Sequence, residues 1–276
     1  MIALLRETIT VSTRFLAGKI LSILRRALVP AAVGCVMLYV LLNGYCIELL
    51  NYLSHPSDVM ASRVLGIAAA GGLVLLLLDA VIVAALTRLV LQERVPEPSF
   101  LGIGVTAWRI YTAYLRLLLA VGGGGVVLWL ALLALHRVGL SPDPGIVRIV
   151  CFLVIYWLGV RTWFLVPPIA ARGGPDGSLT ASWRRSSGHV LPIAVVLFAL
   201  LLGGIAFQAA GEFLLRGLGV LSLPRPVSFR DAVEIYRRNL LPMTLLTIVS
   251  YLFVTTLLAA ARVHLYRRLA GVSAGA

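Results

Sequence analysis

The sequence predicts an all-α, polytopic membrane protein with six transmembrane helices, amphipathic interfacial helices and both termini in the cytoplasm. Composition is the first reason: 60% of the 276 residues are hydrophobic, 13% are charged, and the mean hydropathy is +0.99. A soluble domain is about 45–50% apolar and about 25% charged. The chain therefore has too few polar side chains to cover a water-facing surface. Six long apolar stretches and an uneven distribution of arginines are the other two reasons.

Six stretches are long enough to cross a bilayer core, which needs about 20 apolar helical residues. They are residues 28–50, 64–90, 115–135, 146–170, 190–214 and 240–261. Together they predict a single transmembrane domain over residues 1–276. The third stretch contains the tetraglycine Gly122–Gly125, which lies within an apolar run without an adjacent lysine and so does not resemble a phosphate loop. Close helix packing or a flexible helical segment explains it better.

The positions of Lys and Arg predict the orientation, because cytoplasmic loops carry the excess of these residues. If the N-terminus is cytoplasmic, 15 of the 24 basic residues lie on the cytoplasmic side and eight on the other. Arg161 lies within a span. The net charge of +13 comes from residues between apolar runs, so the expected partners are anionic lipid headgroups and not nucleic acid.

Four amphipathic segments are expected to lie at the membrane interface as helices, at about residues 2–26, 97–112, 178–188 and 228–239. In the last, Ser228 and Asp231 have the spacing of a capping box. These helices either anchor the neighbouring spans or recognise specific lipids. The candidate headgroup contacts are three arginine pairs: Arg25 and Arg26, Arg184 and Arg185, Arg237 and Arg238.

Two ionisable residues lie deep within spans, Asp79 in the second and Arg161 in the fourth. Such residues usually face the bundle interior and pair, because an unpaired charge in hydrocarbon costs several kcal/mol. Their distances from the cytoplasmic ends of their helices agree within one turn. The sequence therefore predicts an Asp79–Arg161 pair, which either fixes helix register or forms a polar site in a transport path. Gln208 and Glu48 are further candidates for a polar lining.

One cytoplasmic segment resembles a known family. Val166-Pro-Pro-Ile-Ala-Ala closes the fourth span, a Gly-rich turn follows, and Leu179-Thr-Ala-Ser-Trp-Arg-Arg-Ser-Ser-Gly-His189 leads into the fifth span. This resembles the membrane domain found beside bacterial glycerophosphoryl diester phosphodiesterases and related six-span families. The residues that carry the resemblance are Pro167, Ser182, Trp183 and Gly188. The closing segment, residues 259–269, is similar to the final span of that family.

The resemblance implies a six-span fold in the bacterial inner (cytoplasmic) membrane, but it implies no catalytic residues for this chain. The four histidines lie in different loops or interfaces, and the sequence has no metalloprotease, nucleophile-elbow or phosphate-loop motif. The three cysteines lack metal-ligand spacing. We therefore expect no catalytic site, no metal site and no cofactor.

Two functions remain open at this point. The first is a non-enzymatic inner-membrane protein that acts as a scaffold or a component of envelope homeostasis. The second is a small-solute or lipid transporter that uses a buried layer formed by Asp79 and Arg161. The presence or absence of a water-filled cavity at these two residues distinguishes the two functions.

Overall fold

A computed structural model describes residues 2–91, 104–137, 143–172, 178–222, 224 and 228–269. The side chains of Arg25 and of residues 2, 126–136, 144, 146 and 148 lie outside this description. The described chain is all-helical, as predicted. Its helices are α1 (Ile2–Ser54), α2 (Asp58–Leu91), α3 (Val105–Arg137), α4 (Pro144–Arg161), α5 (Val166–Arg172), α6 (Leu179–Ser187), α7 (Val190–Gly217), α8 (Phe229–Arg238) and α9 (Leu240–Leu269).

Five segments in the described residues are long and apolar enough to cross a membrane. They are Arg26–Ser54, Asp58–Leu91, Ile149–Ala171, Val190–Gly217 and Leu240–Leu269. They correspond to five of the six predicted spans. The other predicted span, residues 115–135, lies inside α3 and is not among these five.

Residues 2–26 do not form a separate interfacial helix, so this expectation is corrected. They are the first half of α1, a continuous helix of 53 residues that passes through Pro30. At about 1.5 Å per residue, α1 is about 80 Å long. Leu4, Leu5 and Leu16 pack against an apolar cluster that includes residues of α9, whereas Leu21 is 79% exposed. Protein therefore covers only part of the apolar surface of this segment.

Of the other three segments expected to form interfacial helices, two form separate short helices and one is partly included in α3. Residues 97–103 lie outside the described residues, and 105–112 are the first turns of α3. Residues 178–188 form α6, with Ser178 as its N-cap and Gly188 as its C-cap. Residues 228–239 form α8, and both hydrogen bonds of the predicted capping box between Ser228 and Asp231 are present.

The fourth span is broken into two helices. α4 ends at Arg161, a turn covers 162–165, and α5 begins at Val166 with Pro167 in its first turn. Proline is well placed there because the first N–H groups of a helix have no intrahelical partner. Trp163 and Phe164, in the turn, are almost completely buried. The break therefore lies inside the bundle and not at its surface.

The bundle is organised around α9, which packs against α1, α2 and α7. One apolar cluster joins the end of α4 to α7 and α9, and a second joins α2, α3 and α5. The turn at 162–165 connects these clusters, since Phe164 belongs to the first and Leu165 to the second. The polar groups described below lie where these helices meet.

Glycines mark close helix contacts in α7 but not in α3. A Cβ atom on Gly204 would lie 2.6 Å from Val254 Cγ2 of α9, and one on Gly211 would overlap Leu246. The tetraglycine residues Gly122–Gly125 would each accept a Cβ with no described atom within 4 Å. Close packing therefore does not explain the tetraglycine, which corrects that interpretation.

Candidate functional site

The first candidate site surrounds Asp79, which α2 places against α9. The Tyr251 hydroxyl donates a hydrogen bond to Asp79 Oδ1. Tyr251 and Thr255 are four residues apart on α9, so they occupy one face of that helix, and Thr255 lies close enough to act on the Tyr251 hydroxyl. One face of α9 therefore supplies the donor to Asp79.

Two further groups complete this cluster from the other side. Arg262 of α9 interacts electrostatically with Asp79 and with Tyr114 of α3. The Arg262 guanidinium also lies 5.3 Å from the centroid of the Trp163 ring, within the range of a cation–π contact. We call Asp79, Tyr114, Tyr251, Thr255 and Arg262 the polar cluster. It joins α2, α3 and α9.

The chemistry of the polar cluster is that of a buried carboxylate with partners inside the protein. Asp79 accepts a hydrogen bond from Tyr251, and the Arg262 guanidinium interacts with it electrostatically. Such groups stabilise the arrangement of the helices that contribute them, since removing one partner leaves the other unpaired in a low dielectric. The residues that form the three grooves described below do not include any member of the cluster.

Arg161 forms the second candidate site and has aromatic partners. Its guanidinium carbon lies 4.5 Å from the centroid of Trp183 and 5.6 Å from that of Trp157. The two indoles contact each other edge-on, with centroids 4.7 Å apart. Arg161 Nε is buried without a hydrogen-bond partner among the described residues. We call Arg161, Trp157 and Trp183 the arginine–tryptophan site.

The backbone at Arg161 explains why α6 is fixed to this position. The hydroxyls of Ser182 and Ser186 both donate to the carbonyl oxygen of Arg161, at 3.2 and 3.1 Å. α4 ends there, so this carbonyl has no helical partner of its own. Both serines are almost completely buried. Two of the residues that carry the family resemblance, Ser182 and Trp183, therefore contact the end of α4. The other two lie at helix ends: Pro167 is in the first turn of α5, and Gly188 is the C-cap of α6.

The predicted Asp79–Arg161 pair is corrected by this geometry. The structure describes both side chains. Asp79 accepts a hydrogen bond from Tyr251 and interacts electrostatically with Arg262, whereas Arg161 makes cation–π contacts with the two tryptophans. The predicted depth of Arg161 was counted along a continuous fourth helix. Because α4 ends at Arg161, that count does not give its depth.

The predicted headgroup arginines are distributed over several environments. The Arg25 side chain lies outside the described residues, whereas Arg26 and Arg184 are exposed. Arg185 lies 5.9 Å from the centroid of the Tyr266 ring. Arg237 Nε donates to Asn43 Oδ1 at 3.4 Å, and Arg238 pairs with Glu234 at 3.8 Å. Arg237 and Arg238 are exposed as well, so four of the six arginines remain accessible candidates.

The two further polar candidates do not join the polar cluster. Gln208 Nε2 donates to Glu212 Oε1 at 3.4 Å within α7. Glu48 is half-buried near the end of α1. No group of three or more His, Cys, Asp or Glu within the described ranges is arranged to hold a metal ion.

The described surface includes the following grooves. One of about 530 Å³ lies between α7 and α9 and is lined by apolar residues. One of about 440 Å³ lies between α3 and α4 and includes Gly124 and Gly125. The third, of about 430 Å³, lies on α6 beside Trp183 and Arg184. The first two grooves face outward between apolar helices.

Comparisons of the chain with protein-family models, with curated proteins and with solved structures give no match. The resemblance to the phosphodiesterase-associated membrane domain therefore stays a prediction.

Sequence reasoning missed four members of the polar cluster: Tyr114, Tyr251, Thr255 and Arg262. A signal was present in α9, because Tyr251, Thr255 and Arg262 are separated by four and seven residues and so share one helical face. Tyr114 carries no such signal, since its role depends on how α3 packs against α2 and α9.

Proposed function

We propose that the chain is a non-enzymatic, multi-pass protein of the bacterial inner membrane that acts as a scaffold or a component of envelope homeostasis. The observation that carries this proposal is the polar cluster, in which Asp79 accepts a hydrogen bond from Tyr251 and interacts electrostatically with Arg262, both on α9. A site that binds a solute needs polar groups that face a cavity. Here the polar groups face each other and hold three helices together.

The proposal includes six spans with both termini in the cytoplasm. The arginine distribution and the apolar length of α3 support this arrangement. We test it by thiol labelling of intact cells, after replacing Cys35, Cys46 and Cys151 with alanine. A His55→Cys variant, in the loop between α1 and α2, is expected to react from the periplasm. A Ser187→Cys variant, on α6, is expected to react only after the inner membrane is opened; the reverse pattern contradicts the orientation.

The scaffold role is tested by complementation of a strain that lacks the chromosomal copy. Asp79→Asn keeps an oxygen that can accept from Tyr251 but removes the charge. A scaffold that folds normally is expected to restore growth under envelope stress at wild-type abundance. Gly204→Leu, which would place side-chain atoms on Val254, is the control that loses abundance and complementation. An Asp79→Asn protein of normal abundance that fails to complement contradicts the scaffold role.

A transporter or lipid-handling protein is the second candidate, and the broken fourth span favours it. Discontinuous helices are typical of transporter binding sites, and the break at 162–165 is buried. The two candidates differ in whether water reaches Asp79. In the cysteine-free background, a transport site predicts that Asp79→Cys reacts with a water-soluble thiol reagent, whereas the scaffold predicts no reaction.

A further inference from the structure

We propose that the arginine–tryptophan site and the groove between α3 and α4 together bind one anionic phospholipid. The phosphate contacts Arg161, and an acyl chain lies in the groove. The inference depends on insertion of the bundle in a membrane but not on the scaffold role.

The charge of Arg161 is the first argument. Arg161 belongs to the candidate span Ile149–Ala171. No described carboxylate forms an ion pair with it, and its Nε has no described hydrogen-bond partner. Cation–π contacts with Trp157 and Trp183 are favourable, but an arginine at membrane depth is usually also paired with an anion or solvated. A guanidinium matches the geometry of a phosphate through two parallel hydrogen bonds.

The position of the site is the second argument. Arginine and tryptophan side chains together are typical of the boundary between hydrocarbon and headgroups. α4 is largely exposed on the turns that precede Arg161, where Phe152, Ile155 and Trp157 are 59%, 61% and 44% exposed. This surface faces lipid when the bundle is in a membrane, so a lipid lying along α4 brings its phosphate to the level of Arg161.

The groove between α3 and α4 is the third argument. It has a volume of about 440 Å³ and is lined on α4 by residues from Val150 to Leu158. Leu158 lies three residues before Arg161, and residues at this spacing are neighbours on a helix surface. The groove therefore ends one helical turn from the guanidinium. An apolar cleft that ends at a cation matches the chemistry of an anionic phospholipid.

The tetraglycine gives the groove its width. Gly124 and Gly125 form part of the α3 wall, and neither would place a Cβ within 4 Å of a described atom. A run of glycines costs helix stability, at about 0.5–1 kcal/mol per residue relative to alanine. The glycines leave the α3 side of the groove open, since a larger side chain at Gly124 would occupy the space of an acyl chain.

The experiment measures thermal stabilisation by lipid of the full-length protein in detergent. Phosphatidylglycerol is compared with phosphatidylcholine, and inorganic phosphate and glycerol 3-phosphate are added in separate samples. The wild-type protein is expected to gain several degrees in Tm with phosphatidylglycerol and much less with phosphatidylcholine or either soluble anion. An equal shift with a soluble anion contradicts the acyl-chain part of the proposal.

Two variants test the two halves of the site. Arg161→Gln is expected to lose most of the phosphatidylglycerol shift, whereas Arg63→Gln, an exposed arginine of α2, keeps it. Gly124→Leu is expected to lose the shift while its Tm without lipid stays at or above the wild-type value. Gly66→Leu is the matched control, because a Cβ there also meets no described atom within 4 Å.

The outcomes distinguish this proposal from the scaffold role. If Arg161→Gln or Gly124→Leu keeps the full increase in Tm with phosphatidylglycerol, the proposed lipid site is overturned. That result does not affect the expected complementation by Asp79→Asn, which tests the scaffold role. If Arg161→Gln does not fold, Arg161→Lys replaces it and is expected to keep part of the shift, since a point charge remains but the paired hydrogen bonds do not. An unchanged shift in both Arg161→Lys and Gly124→Leu also overturns the site.

Discussion

Asp79 and Arg161 are both ionisable residues in apolar spans, yet the protein accommodates their charges in different ways. Asp79 has a hydroxyl donor in Tyr251 and an opposite charge in Arg262. Arg161 has two indole rings and no described carboxylate partner. Asp79 thus has its partners inside the protein, whereas Arg161 has capacity for an external anion. Two charges at similar sequence depth need not be partners.

The largest effect is expected from removal of the Asp79 carboxylate. Asp79→Leu leaves Arg262 without its anion and Tyr251 without its acceptor. By analogy with other buried pairs, this lowers the free energy of unfolding by about 3–5 kcal/mol. SDS-induced unfolding in mixed micelles measures it. Asp79→Asn is the control and is expected to lose less, since it retains an acceptor; equal stability of Asp79→Leu and the wild type contradicts the account.

The serines of α6 give the next largest effect. Ser182 and Ser186 donate to the same carbonyl oxygen, that of Arg161. Either single alanine variant leaves one donor in place, so we expect a loss of about 0.5 kcal/mol or less for each. The double variant leaves a buried carbonyl unsatisfied, which costs about 1–3 kcal/mol. The same unfolding titration detects this, and strictly additive losses contradict the shared-acceptor geometry.

The smallest effect is expected at Tyr251. Tyr251→Phe removes one hydrogen bond within the membrane and keeps the ring. Hydrogen bonds between transmembrane helices contribute about 0.6 kcal/mol on average and up to about 1.7. The loss should lie in this range. Tyr39→Phe, at an exposed position of α1, is the control, and a loss no larger than that of the control means that Tyr251 does not hold Asp79.

The sequence predicts the long apolar helices well because length and hydropathy act locally. Residues 190–214 contain one charged side chain, Glu212, and residues 240–261 contain none; α7 and α9 cover the two stretches. The capping box at Ser228 is equally local. The break after Arg161 is harder to predict, since Pro167 and Pro168 are also compatible with the end of a span.

The partners of the two charges could not be predicted because they are distant in the sequence. Tyr251 is 172 residues from Asp79, and its chemistry is the same as that of the other eight tyrosines. Trp183 reaches Arg161 only because α4 ends early and α6 folds back onto its last carbonyl. Charge sign and depth favoured an Asp79–Arg161 pair, but the packing of α9 between the other helices decides the contacts.

The most direct test of the central claim is a pair of double-mutant cycles on Asp79, measured by unfolding in the same micelles. Asp79→Leu is combined with Tyr251→Phe in one cycle and with Arg161→Leu in the other. We expect a coupling energy of about 0.6 kcal/mol or more with Tyr251, and additive losses within about 0.5 kcal/mol for Arg161, which shares no partner with Asp79. Recovery of stability in the Asp79→Leu, Arg161→Leu double variant, together with no coupling to Tyr251, would contradict the account.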